Sequence, residues 1–110
     1  MSTSDAYSDI EDTKTLKHIV LFSFREGTSE ETIKKALENA TNLQSSIPQV
    51  LSVQAGPNLA EGLDGGFTHG FIVELTDKQS KEEFMEHNDQ AAVMRELIPN
   101  LKNIIKFDLY

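Results

Sequence analysis

The chain has 110 residues, contains no cysteine, and carries 18 acidic against 10 basic side chains, for a formal net charge of −8. The length fits one domain, the lack of cysteine excludes disulfides, zinc–thiolate sites and thiol nucleophiles, and no apolar run approaches the roughly 20 residues of a membrane helix. An acidic chain without a lysine or arginine cluster lacks the electrostatic footprint of a protein that binds nucleic acid or an anionic membrane.

Residues 1–14 are polar and small, with four acidic side chains against Lys14. This composition predicts a disordered acidic tail, followed by a single folded domain over residues 15–110. The N-terminal segment has no basic stretch followed by an apolar core, so it does not match a secretory signal. We therefore expect a cytoplasmic protein.

The first predicted strand covers residues 16–24, which are rich in β-branched and aromatic side chains. Both alternating sets of side chains are apolar: His18 and Phe22 lie on one face, and Ile19 and Leu21 lie on the other. A strand that is apolar on both faces lies centrally in its sheet and is covered on both sides.

The first predicted helix begins at a capping box over residues 28–31 and ends before Pro48, which pushes the preceding residue out of the helical conformation. Between these limits, apolar side chains recur at helical spacing. Residues 50–55 then alternate as a half-exposed strand, and residues 56–66 form a loop that is dense in turn residues.

The third predicted strand covers residues 67–75. A second capping box, at residues 80–83, begins a helical region that breaks at residues 87–89 and resumes as a short helix ending at Pro99. The last predicted strand covers residues 104–110. Asp108 lies on the face of this strand opposite its apolar side chains.

The predicted order, β-α-β-β-α(α)-β, is that of an α+β domain with the ferredoxin-like βαββαβ topology and a four-stranded antiparallel sheet. In this topology the helices cover one face of the sheet. Ile19, Leu21 and Ile72 then form an apolar surface on the other face, which is unusual for a soluble monomer. A second copy placed face to face would bury that surface, so we expect a homodimer.

Four short segments of the sequence resemble the stress-responsive α/β-barrel family, and the resemblance extends over about residues 16–110. These segments are residues 17–24, residues 47–48, residues 66–69 and residues 107–108. The resemblance implies a dimeric α/β barrel in which two sheets face each other. Some members of the family have an apolar pocket between the helices and the sheet of each subunit, and the resemblance implies such a pocket here.

Comparison with the olivetolic acid cyclase of that family implies a set of pocket residues in this chain. The implied pocket consists of His18, Val20, Phe22, Leu37, Ala40, His69, Phe71, Val73, Phe84, Gln90 and Met94. Phe84 and Gln90 occupy the positions of the cyclase's catalytic tyrosine and histidine. Neither phenylalanine nor glutamine can act as an acid or base near neutral pH, so the cyclase mechanism does not transfer to this chain.

Three functions remain open on these residues: binding of a small apolar molecule, proton-transfer catalysis of a cyclase or lyase type, and a purely structural role as a stress-related assembly. The candidate catalytic residues are His18, His87 and Asp108, because the histidines titrate near neutral pH and a carboxylate can orient one of them. His18 and His69 should lie toward opposite ends of neighbouring antiparallel strands. We therefore expect no metal site, and nothing in the sequence indicates a cofactor.

Overall fold

The computed structural model describes residues 14–110, so the predicted acidic tail lies outside the described residues except for Lys14. The elements are β1 (Leu16–Phe24), α1 (Glu30–Ser46), β2 (Val50–Pro57), β3 (His69–Leu75), α2 (Lys78–Glu86), α3 (Asn88–Leu97), a 3-10 turn (Ile98–Asn100) and β4 (Leu101–Leu109). The four strands form one antiparallel sheet in the order β2-β3-β1-β4. This topology confirms the predicted ferredoxin-like fold.

The two strands predicted to be central, β1 and β3, are central. Their register pairs His18 with Val73 and Phe22 with His69. Alternate side chains of both strands face the helices, and there they form one hydrophobic core with α1, α2 and α3. The largest fully buried members of that core are Phe22, Phe84, Ile47, Leu75, Val20 and Val73.

The helices begin at different capping residues from those that the sequence predicted. Ser29, not Thr28, accepts the hydrogen bond from the amide of Thr32 and caps α1. The hydroxyl of Thr28 instead donates to the carbonyl of Arg25. Asp77 caps α2 by accepting from the amide of Ser80, so the predicted capping box at Ser80 was three residues too late. In both cases the cap is another residue with a capping side chain that precedes or follows the predicted one within three positions.

The helices leave one face of the sheet uncovered, and they also leave β4 uncovered. After Leu101, every residue of β4 is exposed. The open face is apolar across three strands, with Ile19 and Leu21 of β1 half-buried beside the exposed Ile72 of β3. On β4 the same face continues with Ile105, Phe107 and Leu109, which are exposed. We refer to these three β4 side chains as the β4 ridge.

Phe84 is the only buried residue of α2, so it is the side chain that fixes this helix to the sheet. We expect Phe84→Ala to lower the free energy of unfolding by about 3–5 kcal/mol, the usual effect of truncating a buried phenylalanine. Urea unfolding followed by circular dichroism measures this change. Leu59→Ala is the control, because Leu59 is exposed and its truncation should change stability by less than about 0.5 kcal/mol. Equal effects of the two changes would contradict this account of α2.

Candidate functional site

A histidine, an aspartate and a lysine from three different elements meet at the helix-covered side of the sheet. Nδ1 of His18 on β1 lies 2.6 Å from Oδ1 of Asp108 on β4. Oδ2 of the same carboxylate lies 3.2 Å from Nζ of Lys81 on α2. The side chain of His18 is only 3% exposed, whereas Asp108 and Lys81 are partly exposed. The group therefore runs from the protein surface into the core.

The register of the sheet explains why these side chains meet. His18 and Asp108 are direct partners across the β1–β4 ladder, and both point to the helix-covered face. Lys81 lies one turn before Phe84 on α2, and Phe84 touches the His18 ring edge-on at a centroid distance of 5.8 Å. Burial of Phe84 thus places Lys81 over the end of β4, because residues three apart share a helix face.

Electrostatics determine which nitrogen of His18 carries the proton. Burial by itself raises the pKa of Asp108, but hydrogen bonds from His18 and Lys81, together with their charges, outweigh it and lower the pKa below its ordinary value. Asp108 is therefore ionised near neutral pH and can only accept hydrogen bonds. Nδ1 of His18 is therefore the donor in this hydrogen bond, and in the neutral form of the ring the lone pair is on Nε2.

Nε2 of His18 is the free position of the group. Within residues 14–110, His18 makes one hydrogen bond, through Nδ1 to Asp108, and its other polar atom has no hydrogen-bond partner. A carboxylate that orients a histidine in this way fixes the tautomer and the orientation of the ring. The arrangement can accept a hydrogen bond or a proton at Nε2.

Apart from His69, the other residues of the implied pocket are packed together on the helix-covered side of the sheet. Most of them belong to the single hydrophobic core, and Leu37 and Met94 are partly buried at its edge. Phe84 of α2 and Gln90 of α3 are both buried. A ligand in this region must displace or repack some of these side chains, and ligand binding by them stays a prediction.

His69 is not part of the group at His18. It is paired with Phe22, four residues along β1 from His18, which separates the two histidines by about 13 Å along the strand. Its ring stacks on Phe22 at a centroid distance of 6.4 Å, and its Nδ1 lies 2.8 Å from the hydroxyl of Thr68. Partial burial lowers the pKa of His69.

His87 has a structural role as a helix cap. It lies between α2 and α3, and its Nδ1 accepts a hydrogen bond from the amide of Asp89, so it caps α3. Of the three candidate catalytic residues, His18 and Asp108 are therefore hydrogen-bonded to each other. His87 instead caps α3.

Sequence reasoning missed Lys81, the third member of the group. The spacing of Lys81 and Phe84 on the predicted helix was the available signal, because it places both residues on the face toward the sheet. Among residues 14–110, no three histidine, aspartate or glutamate side chains are arranged to hold a metal ion. Within the same range, no helix has the length and apolar character needed to cross a membrane.

A second concave surface lies on the open face of the sheet, away from His18. Its volume is about 490 Å3, and it lies between the sheet and the loop that joins β2 to β3. Gly56 and Gly70, which are paired across β2 and β3, form part of its floor. Ile72, Pro57, Ala60 and Leu63 give it a mainly apolar lining. We refer to this surface as the loop hollow.

The lowered pKa of Asp108 makes the stability of the protein depend on pH. Ionised Asp108 stabilises the fold above its unfolded-state pKa of about 3.8, and this contribution is lost as the pH falls through the lower folded-state pKa. Asp108→Asn should therefore reduce the free energy of unfolding at pH 6, and the difference from wild type should shrink below pH 3.8. Urea unfolding across this range measures it. The control is Glu61→Gln, which removes an exposed carboxylate elsewhere, and the same pH dependence in both variants would contradict the assignment.

Comparison with known proteins gives relatives over almost the whole described chain. A curated Arabidopsis thaliana protein, the stress-response A/B barrel domain-containing protein HS1, is 26% identical over 94 residues, which are 84% of this chain and 86% of that protein. Hydroxynitrile lyase from Passiflora edulis has a similar structure, with a TM-score of 0.79 at 19% identity, covering 88% of this chain and 93% of that one.

A dimeric ferredoxin-like protein of unknown function from Jannaschia sp. CCS1 also has a similar structure. Its TM-score is 0.78 at 22% identity, and the match covers 88% of this chain and 99% of the other. The model of one protein family, the stress responsive A/B barrel domain, matches residues 16–110, the range that contains the four strands and three helices of the described residues. The chain belongs to the stress responsive A/B barrel domain family.

Proposed function

We propose that this chain acts as a homodimer that binds a small, largely apolar molecule carrying a hydroxyl group, and that His18 accepts a hydrogen bond from that hydroxyl. The observation that carries the proposal is the orientation of His18 by Asp108. A nearly buried imidazole has its donor nitrogen engaged, and its acceptor nitrogen has no hydrogen-bond partner within residues 14–110. Binding sites typically combine an apolar lining with one or two oriented polar groups of this kind.

The homodimer is supported by the apolar open face of the sheet. Ile19 and Leu21 are half-buried and Ile72 is exposed on that face, and the exposed β4 ridge extends it to the edge of the sheet. Contiguous apolar surface of this extent usually marks an interaction site. Similar structures have been solved from bacteria as dimeric ferredoxin-like proteins, which agrees with a second copy as the partner.

The ligand would lie beside His18, where Phe84 now contacts the imidazole ring. α2 has one buried side chain, so a modest shift of this helix makes room without unfolding the sheet. Met94 is partly buried next to the same core, and methionine side chains repack readily around different shapes. Ligand entry by displacement of α2 would also stretch the ion pair between Lys81 and Asp108.

Proton-transfer catalysis is the second candidate function, and the same imidazole favours it. A histidine whose Nδ1–H is held by a carboxylate is a suitable general base at Nε2. One similar structure is named a hydroxynitrile lyase, at an identity that indicates a shared fold only. The chain lacks the acid–base pair of the family's cyclase, since Phe84 and Gln90 stand at those positions, so His18 would have to serve alone with Asp108.

Phenol and toluene are matched probes for the proposed site, because they have nearly the same shape and differ in one hydroxyl group. We expect wild-type protein to bind phenol more tightly than toluene by up to about tenfold, the value of one net hydrogen bond in a buried site. Two-dimensional NMR titration of the labelled protein measures both affinities. His18→Phe should remove the preference for phenol, because phenylalanine keeps the ring and lacks the acceptor.

His69→Phe is the matched control for this experiment, since it replaces a histidine at the other end of the same face. It should leave the preference for phenol unchanged. Circular dichroism checks that both variants remain folded. If neither probe shifts resonances near His18, the binding proposal fails, and a structural role for the dimer becomes the better account. If phenol binds equally well to the His18→Phe protein, the assigned role of His18 is wrong.

A further inference from the structure

Lys106 is a cation on the helix-covered side of β4, close to the group at His18. It pairs with Val20 in the β1–β4 ladder, so it lies on the same face of the sheet as Asp108, which is two positions further along β4. Its side chain is exposed, and among residues 14–110 it has neither an ion pair nor a hydrogen bond. The ammonium group of Lys106 is therefore available to a ligand.

No carboxylate of the described residues pairs with Lys106. On the helix-covered face, β1 and β4 carry one carboxylate, that of Asp108, and its two oxygens are engaged by His18 and Lys81. The glutamates of α2 line a separate surface that includes neither Lys81 nor Phe84: Glu82, Glu83 and Glu86. The side of α2 that meets β4 thus brings a second cation to this part of the sheet and no anion.

The charges on this face leave a local excess of positive charge. Asp108 is ionised near neutral pH and faces two ammonium groups, those of Lys81 and Lys106. The neutral form of His18 adds no charge. A chain with a formal net charge of −8 therefore has one unbalanced positive charge beside its candidate site. A ligand with a single negative charge would balance it.

We propose that the molecule bound at His18 is an organic acid with one negative charge, and that Lys106 selects it by pairing with its carboxylate. The inference rests on the ligand site of the proposed function, and it adds the charge of the ligand and the residue that recognises that charge. The hydroxyl of the ligand lies at Nε2 of His18, and its carboxylate lies at Lys106.

The geometry of the sheet allows one small molecule to reach both residues. His18 is paired with Asp108, so Lys106 is its diagonal neighbour, and diagonal neighbours in an antiparallel ladder are about 7–8 Å apart. The four-carbon stem of lysine is flexible, so the ammonium group can move toward a ligand beside the imidazole. A molecule that carries its hydroxyl and its carboxylate at opposite ends of one ring fits such a separation.

The burial of the two residues matches the two ends of such a molecule. His18 is 3% exposed, and a neutral hydroxyl is far less costly to bury there than a charge. Lys106 is exposed, so a carboxylate paired with it keeps part of its hydration and avoids the large desolvation penalty of a buried ion pair. The decrease in exposure from Lys106 to His18 therefore favours an amphiphilic acid that binds with its charge outward.

Lys81 is the other cation of this region, but it already has a partner. Its Nζ lies 3.2 Å from Oδ2 of Asp108, and an anion that drew Lys81 away would remove one of the two groups that hold that carboxylate. Lys106 can pair with an anion without breaking an ion pair of the described residues. We therefore assign the recognition of the carboxylate to Lys106.

Two probes of nearly equal shape test the charge of the ligand. 4-Hydroxyphenylacetate and 4-hydroxyphenylacetamide share the ring and the hydroxyl, and only the first is negatively charged near neutral pH. We expect wild-type protein to bind the acid about five- to tenfold more tightly than the amide, the value of a hydrogen-bonded ion pair at a partly exposed site. Two-dimensional NMR titration, with the resonances of His18 as the reporter, measures both dissociation constants.

Substitutions at Lys106 test its role. Lys106→Met removes the ammonium group and keeps most of the stem, so it should abolish the preference for the acid and leave the affinity for the amide unchanged. Lys106→Arg keeps the charge and should retain most of the preference. Lys102→Met is the matched control, because it removes the same charge from the same strand, about 13 Å away, where the β1–β4 register is irregular. It should leave the preference unchanged.

The outcomes separate this inference from the proposed function. If phenol, the acid and the amide all fail to shift resonances near His18, the ligand site itself is contradicted, and with it both proposals. Binding of phenol or of the amide near His18, without an advantage for the acid, contradicts only the negative charge of the ligand. An advantage for the acid that survives in Lys106→Met, or that Lys102→Met removes equally, would overturn the role of Lys106.

Discussion

The structure depends on one constraint: three helices cover one face of a four-stranded sheet, and the strand order leaves β4 at an edge that they do not bury. The helix-covered face of β1, β2 and β3 forms the hydrophobic core. The other face, and both faces of β4 after Leu101, remain exposed. A small domain buries a limited fraction of its surface, so apolar side chains on an uncovered face are a cost unless another chain covers them. The oligomeric state and the candidate site both follow from this arrangement.

The group at His18 lies where the covered and uncovered parts of the sheet meet. His18 belongs to the core, Asp108 belongs to the exposed strand, and Lys81 belongs to the most lightly anchored helix. A nearly buried imidazole requires a polar partner, because an unpaired polar group in the interior is destabilising. Asp108 supplies that partner and remains ionised because hydrogen bonds from His18 and Lys81 lower its pKa by more than its partial burial raises it. The hydrogen bond that fixes the tautomer of His18 thus depends on the position of β4 at the edge of the sheet.

The sequence predicted the features that depend on patterns within one strand or helix. The double-sided apolar character of residues 16–24 identified the central strand, and alternation along residues 104–110 placed Asp108 on the face away from the β4 ridge. The antiparallel register separated His18 from His69, as expected. The first residues of the helices were not predicted correctly, because several residues near each start can cap a helix: Ser29 and Asp77 cap the helices in place of Thr28 and Ser80. Lys81 escaped notice because its partner is 27 residues away, on another element.

Phe84 shows how packing and function compete in this fold. It is the side chain that anchors α2, and it also touches the imidazole that any ligand at this site must reach. A phenylalanine here strengthens the core, whereas the hydroxyl of a tyrosine would need a polar partner in the same space. The chain thereby keeps an oriented histidine and closes the space in front of it with an apolar ring. A ligand that binds at His18 must therefore disrupt packing contacts of Phe84 in the core. The ligands best suited to this site are those whose apolar surface replaces the contacts that Phe84 loses.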